Sequence, residues 1–374
     1  MICGFDFSFL FYVRWSDKDM LKGERFSLHE STMGRFQGIS CAYLNTSDKI
    51  ITVCEGFADK ESSIPVDENT IFPACSISKF ITALCVMKAN EKEIISIDAP
   101  VNNYLSKWKL CTVNGNESDA SIRMVLCHVA GIVDGEDAFY GLRRTDPAIG
   151  LMDILEGKTS YNNRPARVEK APGTEFEYSD AGYCVLQLLL EEITEKPFED
   201  MAKEYFFDPL GLKQTFFASQ ENVAFYEKKY VMATGYDENG LPIPEKYPQI
   251  PDLAASGLWS TPKELLIIAR EFVNACNGNS SLLKDKSALE MVKPVERFPW
   301  IGIGLFMGGE NEVISRGWGE NGQSILKINY RTGEIAAVMT NQNPGVDQTE
   351  SGLEGLVNNI CQLYWKQKDF SYEK

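Results

Sequence analysis

Histidine is nearly missing from this chain of 374 residues: it occurs twice, at His29 and His128. With no Cys-x-x-Cys pair among the ten cysteines either, no clustered ligand set for zinc or a similar metal is available, and none is expected. Basic charge is also scarce, 37 lysines and arginines standing against 53 aspartates and glutamates for a net charge of −16. So acidic a surface repels phosphate backbones and anionic lipid, which argues against nucleic-acid binding and favours solubility. No run reaches the roughly 18 apolar residues needed to cross a bilayer. The apolar start, Met1–Val13, has no basic leader and no small-residue cleavage site and carries Asp6, so it does not read as a signal peptide. Most cysteines sit inside apolar runs, where they read as small buried hydrophobes of a reducing, cytoplasmic protein. Neither a cofactor nor a membrane anchor is expected.

What is present is globular material: 44% hydrophobic residues and no long low-complexity tract. The length exceeds what one core usually covers, so two domains are expected. A leading helix is expected over residues 20–36. From Gly38, an Ile-Ser-Cys-Ala-Tyr-Leu run, a turn at Asn45–Asp48 and an Ile50-Ile-Thr-Val-Cys run predict two antiparallel strands. Between about 95 and 250 the patterns are helical, notably Ser121–Val129 and Ala181–Ile193, with no regular strand alternation. After Leu253, Ser260-Thr-Pro caps a helix to about Ala275, and short apolar runs then predict strands over Trp300–Met307, Glu312–Gly317, Gln323–Tyr330 and Glu334–Asn341. A last helix over Gly352–Trp365 covers them. The expected fold is therefore α/β of the α+β kind, an antiparallel sheet flanked by helices and built from both chain ends. It comprises residues 1–94 and 251–374, with a mostly helical inserted domain over 95–250 and an active-site cleft between them.

Chemistry concentrates first at Ile71-Phe-Pro-Ala-Cys-Ser-Ile-Ser-Lys-Phe80, where an extended run becomes a helix. Residues i and i+3 share a helix face, so Lys79 can reach the Ser76 hydroxyl, a poor nucleophile without such a partner. A helix beginning at Ser76 would also aim unpaired N–H groups at any oxyanion formed there. Ser-x-x-Lys occurs six times, from Ser76, Ser106, Ser260, Ser281, Ser324 and Ser371. Only Ser76 joins a preceding apolar strand to a following apolar helix, through Phe80, Ile81, Leu84 and Met87. The plainer role for it is a helix N-cap.

Two further stretches carry reactive groups. Glu175-Phe-Glu-Tyr-Ser-Asp-Ala-Gly-Tyr183 packs Tyr178, Ser179 and Asp180 into a loop before an apolar helix, where Asp180 is otherwise a cap and Tyr178 a core aromatic. Ser315-Arg-Gly-Trp-Gly-Glu-Asn-Gly-Gln323 interrupts a strand with three glycines, which permits close approach of a ligand or of another backbone.

In this order and spacing, the stretches resemble the penicillin-recognising serine hydrolases, particularly the class C β-lactamase and carboxypeptidase-esterase branch, over most of the chain from Gly38. Ser76-Ile-Ser-Lys79 is similar to that family's Ser-x-x-Lys and Tyr178-Ser-Asp180 to its Tyr-x-Asn. Leu126–Ile132 is similar to its Leu-x-His-Thr-Ser-Gly-Leu segment, Pro209-Leu-Gly-Leu to its Pro-Leu-Gly-Met turn, and Ala255–Thr261 to its Gly-Gly-Leu-x-Ser-Thr helix start. The resemblance implies a Ser76 acyl-enzyme, with Lys79 and Tyr178 sharing proton transfer, either one being the base. It also implies an oxyanion hole from the Ser76 N–H and a strand N–H near Glu320 or Asn321. His128 falls in a segment that is structural in the family. Either base needs a lowered pKa, which a neighbouring cation supplies, so Lys79 and Tyr178 are expected to depress one another.

Two positions depart from the pattern. Asp180 substitutes an acceptor-only carboxylate for an amide that can donate to substrate. Trp318-Gly319-Glu320 stands where the family has Lys-Thr-Gly or His-x-Gly, so no lysine meets a β-lactam carboxylate and Glu320 adds negative charge. Arg316, on a strand continuing through Gly317, points away from the cleft face. Asp180, Trp318, Gly319, Glu320 and Asn321 are the expected substrate-binding residues, and the expected partner is a small molecule or short peptide: an ester, amide or peptide without that carboxylate. A D-stereospecific peptidase, a weak β-lactamase and a catalytically silent ligand-binding relative stay open as alternatives.

Overall fold

The computed structural model describes residues 32, 34–44 and 49–365. The apolar start, almost all of the leading helix expected over 20–36, and the turn at Asn45–Asp48 lie outside them.

Strands β1 (Gly38–Leu44), β2 (Ile50–Asp59) and β3 (Ile64–Pro65) and, from the other end of the chain, β9 (Phe306–Met307), β10 (Glu312–Gly319), β11 (Gly322–Asn329) and β12 (Ile335–Thr340) form one antiparallel sheet in the order β3-β2-β1-β12-β11-β10-β9. The period of two assigns its faces. Ile39, Cys41 and Tyr43 of β1 and Ala336 and Val338 of β12 share one apolar cluster with Leu353, Leu356, Val357 and Ile360 of the last helix, Leu353–Trp365. The alternate residues, Ala42, Leu44, Ala337 and Met339, join the main core with Leu265, Ile268, Ala269 and Phe272 of the helix Pro262–Cys276. Both faces are therefore covered, which is why these strands read as near-continuous apolar runs.

Helix α1 (Ser78–Glu91) packs behind this layer; α2 (Ile122–Leu126), α3 (Leu151–Leu155), α4 (Asp180–Thr194), α5 (Phe198–Ala202) and α6 (Val223–Lys229) follow before α7 (Leu253–Ser256) and α8 (Pro262–Cys276). After α8 come α9 (Asp285–Met291) and α10 (Leu353–Trp365). The strand expected before Ser76 is present as β4 (Phe72–Cys75), but its partners β8 (Leu258–Ser260) and β7 (Phe216–Phe217), and the parallel pair β5 (Cys111–Thr112) and β6 (Arg167–Val168), were not expected from the sequence. Strands of two or three residues carry no readable alternation. The strand expected over Trp300–Met307 is shorter than expected, only Phe306–Met307 pairing. A Cβ on Gly304 would lie 2.4 Å from the Ala83 Cβ, and one on Gly302 would lie 2.3 Å from the Met291 carbonyl oxygen. Those residues are a close-packed loop against α1 and α9.

β4 delivers Ser76. It is held by β8 along one side, and the Ser324 hydroxyl of β11 donates to the Ala74 carbonyl at 2.7 Å. β10 passes so near that a Cβ on Gly317 would sit 2.2 Å from that carbonyl oxygen. The third glycine-bearing stretch thus admits a neighbouring backbone rather than a ligand at this position. Gly317→Ala is accordingly expected to destabilise the chain by about 1–3 kcal/mol, read as a lower urea midpoint at unchanged m-value; an unshifted midpoint would show that β10 and β4 are less tightly apposed.

Candidate active site

The regular helix begins at Ser78, not Ser76. Cys75 has a positive φ of 48°, Ile77 N–H donates back to the Ala74 carbonyl, and Lys79 N–H donates to the Ser76 carbonyl. Ser76 therefore occupies a tight turn between β4 and α1, with its backbone bent out of the usual regions just before it. Ser78 fixes this turn, donating to the Cys75 carbonyl at 2.6 Å and accepting from the Leu258 N–H at 2.9 Å. Thr82, one turn on, donates to the Ala254 carbonyl at 2.7 Å.

Lys79 is 3% exposed. Its ammonium donates to the Ser76 Oγ at 3.0 Å and to the Ala255 carbonyl at 3.0 Å, and it forms an ion pair with Asp180 Oδ1 at 2.5 Å. Tyr178 completes the group: it lines the same small pocket as Ser76 and Lys79, and the Lys79 ammonium stands 4.8 Å from the centroid of its ring. The residue as a whole is 40% exposed.

The electrostatics differ from the expected mutual lowering. Burial alone would push Lys79 down, but the Asp180 carboxylate, followed by Tyr178, outweighs it, and the net shift is upward. Burial raises Tyr178 too, Lys79 offsetting only part of that rise. The reason is the aspartate: it places a full negative charge on the far side of the lysine. At rest, Lys79 is an ammonium and Tyr178 a neutral phenol.

The loop that presents Tyr178 and Asp180 is anchored by Ser179 and His128 and by an aspartate that the sequence did not distinguish, Asp134. Ser179 caps α4, its Oγ accepting from the Gly182 N–H at 2.9 Å and donating to Asp134 at 2.7 Å. Asp134 also accepts from the Asp180 N–H at 2.6 Å. Burial, and after it the Asp180 charge, pushes Asp134 up to about 6. His128 is a positioning residue: its Nδ1 accepts from the Ser179 N–H at 3.1 Å, and its ring stacks on Tyr178 with centroids 4.3 Å apart. Burial, with the Lys79 charge adding to it, holds His128 well below its ordinary pKa, which keeps it neutral and able to accept. Beneath Lys79, Asp252 is fully buried, accepts from the Tyr161 hydroxyl at 2.7 Å and is pushed up to about 7, by burial first and Asp180 next.

The third wall is the β10–β11 hairpin. Gly319 lies against the Cys75 sulfur, which a Cβ there would approach to 3.1 Å. Trp318 is 46% exposed and donates from Nε1 to Asn343 at 2.8 Å, whereas Asn321 is buried. Glu320 does not add free negative charge to the cleft. Its carboxylate accepts from the Gly141 N–H at 2.6 Å and pairs with the Arg143 guanidinium at 3.0 Å. It thereby ties the 139–143 loop across the opening. Arg143 belongs to the sequence's one Arg-Arg doublet, the single signal that could have drawn attention to it. Arg316 is engaged elsewhere, with Glu354 of α10 at 2.8 Å.

Beside Ser76 a cavity of about 270 Å³ is walled by Phe139, Tyr140, Tyr161, Trp259 and Trp318, with Asp180 at its base. Of the candidate residues, Ser76, Lys79, Tyr178 and Asp180 converge on one point. Trp318, Gly319 and Glu320 border the adjoining cavity, where Asn321 contributes from a buried position.

A serine-bearing turn after β4, a buried lysine behind it, a tyrosine loop and a glycine-bearing edge hairpin are the arrangement of the β-lactamase and transpeptidase fold. The model of the Beta-lactamase family matches residues 27–357, and the chain belongs to that family. Among curated relatives, it is 28% identical over 175 residues to esterase EstB of Burkholderia gladioli, taking in 46% of this chain and 44% of that protein. It is 24% identical over 256 residues to protein flp of Staphylococcus aureus strain MW2, taking in 65% of this chain and 45% of that protein. The chain thus spans somewhat under half the length of these relatives. Among solved structures, the D-amino acid amidase from Ochrobactrum anthropi SV3 matches with a TM-score of 0.72 at 22% identity, over 90% of this chain and 98% of that one. The octameric penicillin-binding protein homologue from Pyrococcus abyssi matches with a TM-score of 0.72 at 21% identity, over 92% and 78%. At these identities the likeness is one of fold.

The charge on Lys79 can be read directly. Its ¹⁵N-labelled Nζ should remain an ammonium throughout the neutral and mildly alkaline range. In Asp180→Asn, where burial is opposed mainly by Tyr178, it should titrate at a pH lower by about 1–3 units. Unchanged titration in the variant would show that Asp180 does not set the lysine charge.

Proposed function

We propose that the chain is a serine hydrolase that cleaves a small ester, amide or peptide through an acyl-enzyme on Ser76. The observation that carries this reading is the contact of Lys79 Nζ with Ser76 Oγ at 3.0 Å, with Tyr178 lining the same pocket.

Because Lys79 rests as an ammonium, it must first lose a proton, and Asp180 is positioned to take it. Substrate filling the cleft removes water from the pair, which disfavours two separated charges and drives the proton from Nζ to the Asp180 carboxylate. The resulting amine takes the Ser76 proton as Oγ bonds to the substrate carbonyl carbon. The oxyanion faces the Ser76 N–H and an N–H at the end of β10. When the bond to the leaving group breaks, Tyr178 gives its proton to the departing oxygen or nitrogen and recovers one from Lys79. Water repeats the sequence on the acyl-serine, and the Asp180 proton returns to Lys79 at product release. Asp180 therefore acts on the lysine, not as the amide donor that an asparagine would be. With Glu320 paired to Arg143 and Trp318 at the wall, the cavity favours an apolar or aromatic group over a free carboxylate.

Purified protein should hydrolyse p-nitrophenyl butyrate, with loss of activity in Ser76→Ala and a fall in kcat of about 10²–10⁴-fold in Lys79→Met. Nitrocefin should be turned over far more slowly than the ester. Ester hydrolysis that survives in Ser76→Ala, or nitrocefin as the preferred substrate, would overturn the reading.

A further inference from the structure

The pocket that holds the reactive group measures about 20 Å³ and is bordered by Ser76, Lys79, Tyr178, His128 and Ser315, with the 301–306 loop closing much of the rest. It shares no lining residue with the aromatic cavity beside Ser76. A single water needs about 10–15 Å³. The pocket therefore has room for one water and for nothing larger.

Two polar atoms that lack protein partners belong to its walls. On β10, Ser315 alternates with Val313, which lies in the main core, and with Gly317, where a Cβ would press on the Ala74 carbonyl. Its side chain thus leaves the sheet on the face turned to β4 and the Ser76 turn, whereas Arg316, on the opposite face, is held by Glu354. Ser315 is 3% exposed, yet among the described residues its hydroxyl makes no hydrogen bond. His128 is 7% exposed and neutral. Because its Nδ1 accepts from the Ser179 N–H, the ring proton sits on Nε2, which among the described residues also has no partner. Neither atom is sealed inside the protein. Buried polar groups are nearly always paired, with ordered water where the protein supplies nothing.

We propose that this pocket holds the water that hydrolyses the acyl-enzyme, and that the Ser315 hydroxyl and the His128 Nε2–H hold it beside Ser76 and Tyr178. With the acyl chain in the aromatic cavity, the water keeps its place while the ester stands on Ser76. Its oxygen bonds to the acyl carbonyl carbon as one of its protons passes to the Lys79 amine. The bond from that carbon to Ser76 Oγ then breaks, and Oγ takes the Tyr178 proton, which Lys79 restores. The released acid carries the water oxygen. The water's chemical role rests on the proposed hydrolase reading; the water site itself does not.

Two substitutions separate this role from a structural one. Ser315→Val suits a strand, removes the hydroxyl and fills the pocket, and Ser315→Ala removes the hydroxyl alone. With p-nitrophenyl acetate, p-nitrophenol release in the first turnover reports acylation, and loss of acetyl from the isolated acyl-enzyme reports deacylation. Ser315→Val should acylate within about threefold of the unaltered chain and deacylate about 10–100-fold more slowly, with Ser315→Ala between them. Equal losses in both steps, or none in either, would overturn the assignment in a variant whose thermal midpoint verifies folding. Should Ser315→Val not fold, the same split in Ser315→Ala decides. Independently, a high-resolution crystal structure of the unaltered chain should show one water within hydrogen-bonding reach of Ser315 Oγ and His128 Nε2. A dry pocket in a chain that does form acetyl-Ser76 overturns the water site and leaves the hydrolase reading standing. An occupied pocket in a chain that never acylates Ser76 overturns the hydrolase reading, and the water's chemical role with it.

Discussion

The buried ion pair between Lys79 and Asp180 is the contact on which the site depends. Removing one partner of such a pair costs about 3–5 kcal/mol, because the other charge is left uncompensated. The fold therefore spends much of its local hydrogen bonding on keeping the two together. Ser78 and Thr82 stitch α1 to the Ala254–Leu258 segment, so that the Ala255 carbonyl reaches the ammonium. On the other side Ser179, Asp134 and His128 pin the first turn of α4, which fixes Asp180 and sets Tyr178 against Ser76. The proposed chemistry rests on the same pair: a lysine held as a cation needs a proton acceptor before it can activate a serine, and Asp180 is the group proposed for that role.

Much of the sheet was legible in the sequence because period-two patterns and turn residues are local. Gly38–Leu44 and the three strands over Glu312–Thr340 stand within a few residues of where alternation placed them, whereas β2 runs on to Asp59, past the Ile50–Cys54 run read as its strand and through a stretch read as connection. The helices Ala181–Ile193 and Pro262–Cys276 were equally visible from their apolar periodicity, although the first is capped by Ser179 and not by Asp180, which lies in its first turn. What escaped were features settled by distant partners. The run over Trp300–Met307 is apolar enough for a strand, yet Gly302 and Gly304 commit most of it to close contact with two helices. β7 and β8 pair with β4 through contacts far apart in the chain, and short strands leave no alternation to read.

The site divides in the same way. Ser76, Lys79 and Tyr178 belong to stretches whose spacing carries chemical meaning, and the fold brings them together. The charge state of that group was not legible, because it depends on which atoms surround Asp180 after folding. Glu320 shows the same limit: an acidic residue on a cleft wall reads as repulsion until Arg143, from a loop 177 residues earlier in the chain, is found beside it. Asp134 and Asp252 were silent for a similar reason, each being one aspartate among many until burial distinguishes it.

The central claim is that Ser76 carries the acyl group. Rapid acid quenching of the chain with p-nitrophenyl acetate, followed by peptide mapping by mass spectrometry, tests it without reference to the natural substrate. The account predicts a single acetyl group on the peptide that contains Ser76, accumulating before steady state and absent from Ser76→Ala. An acetyl group on another residue that turns over at the rate of catalysis, or turnover with no acylated protein at any time, would contradict it.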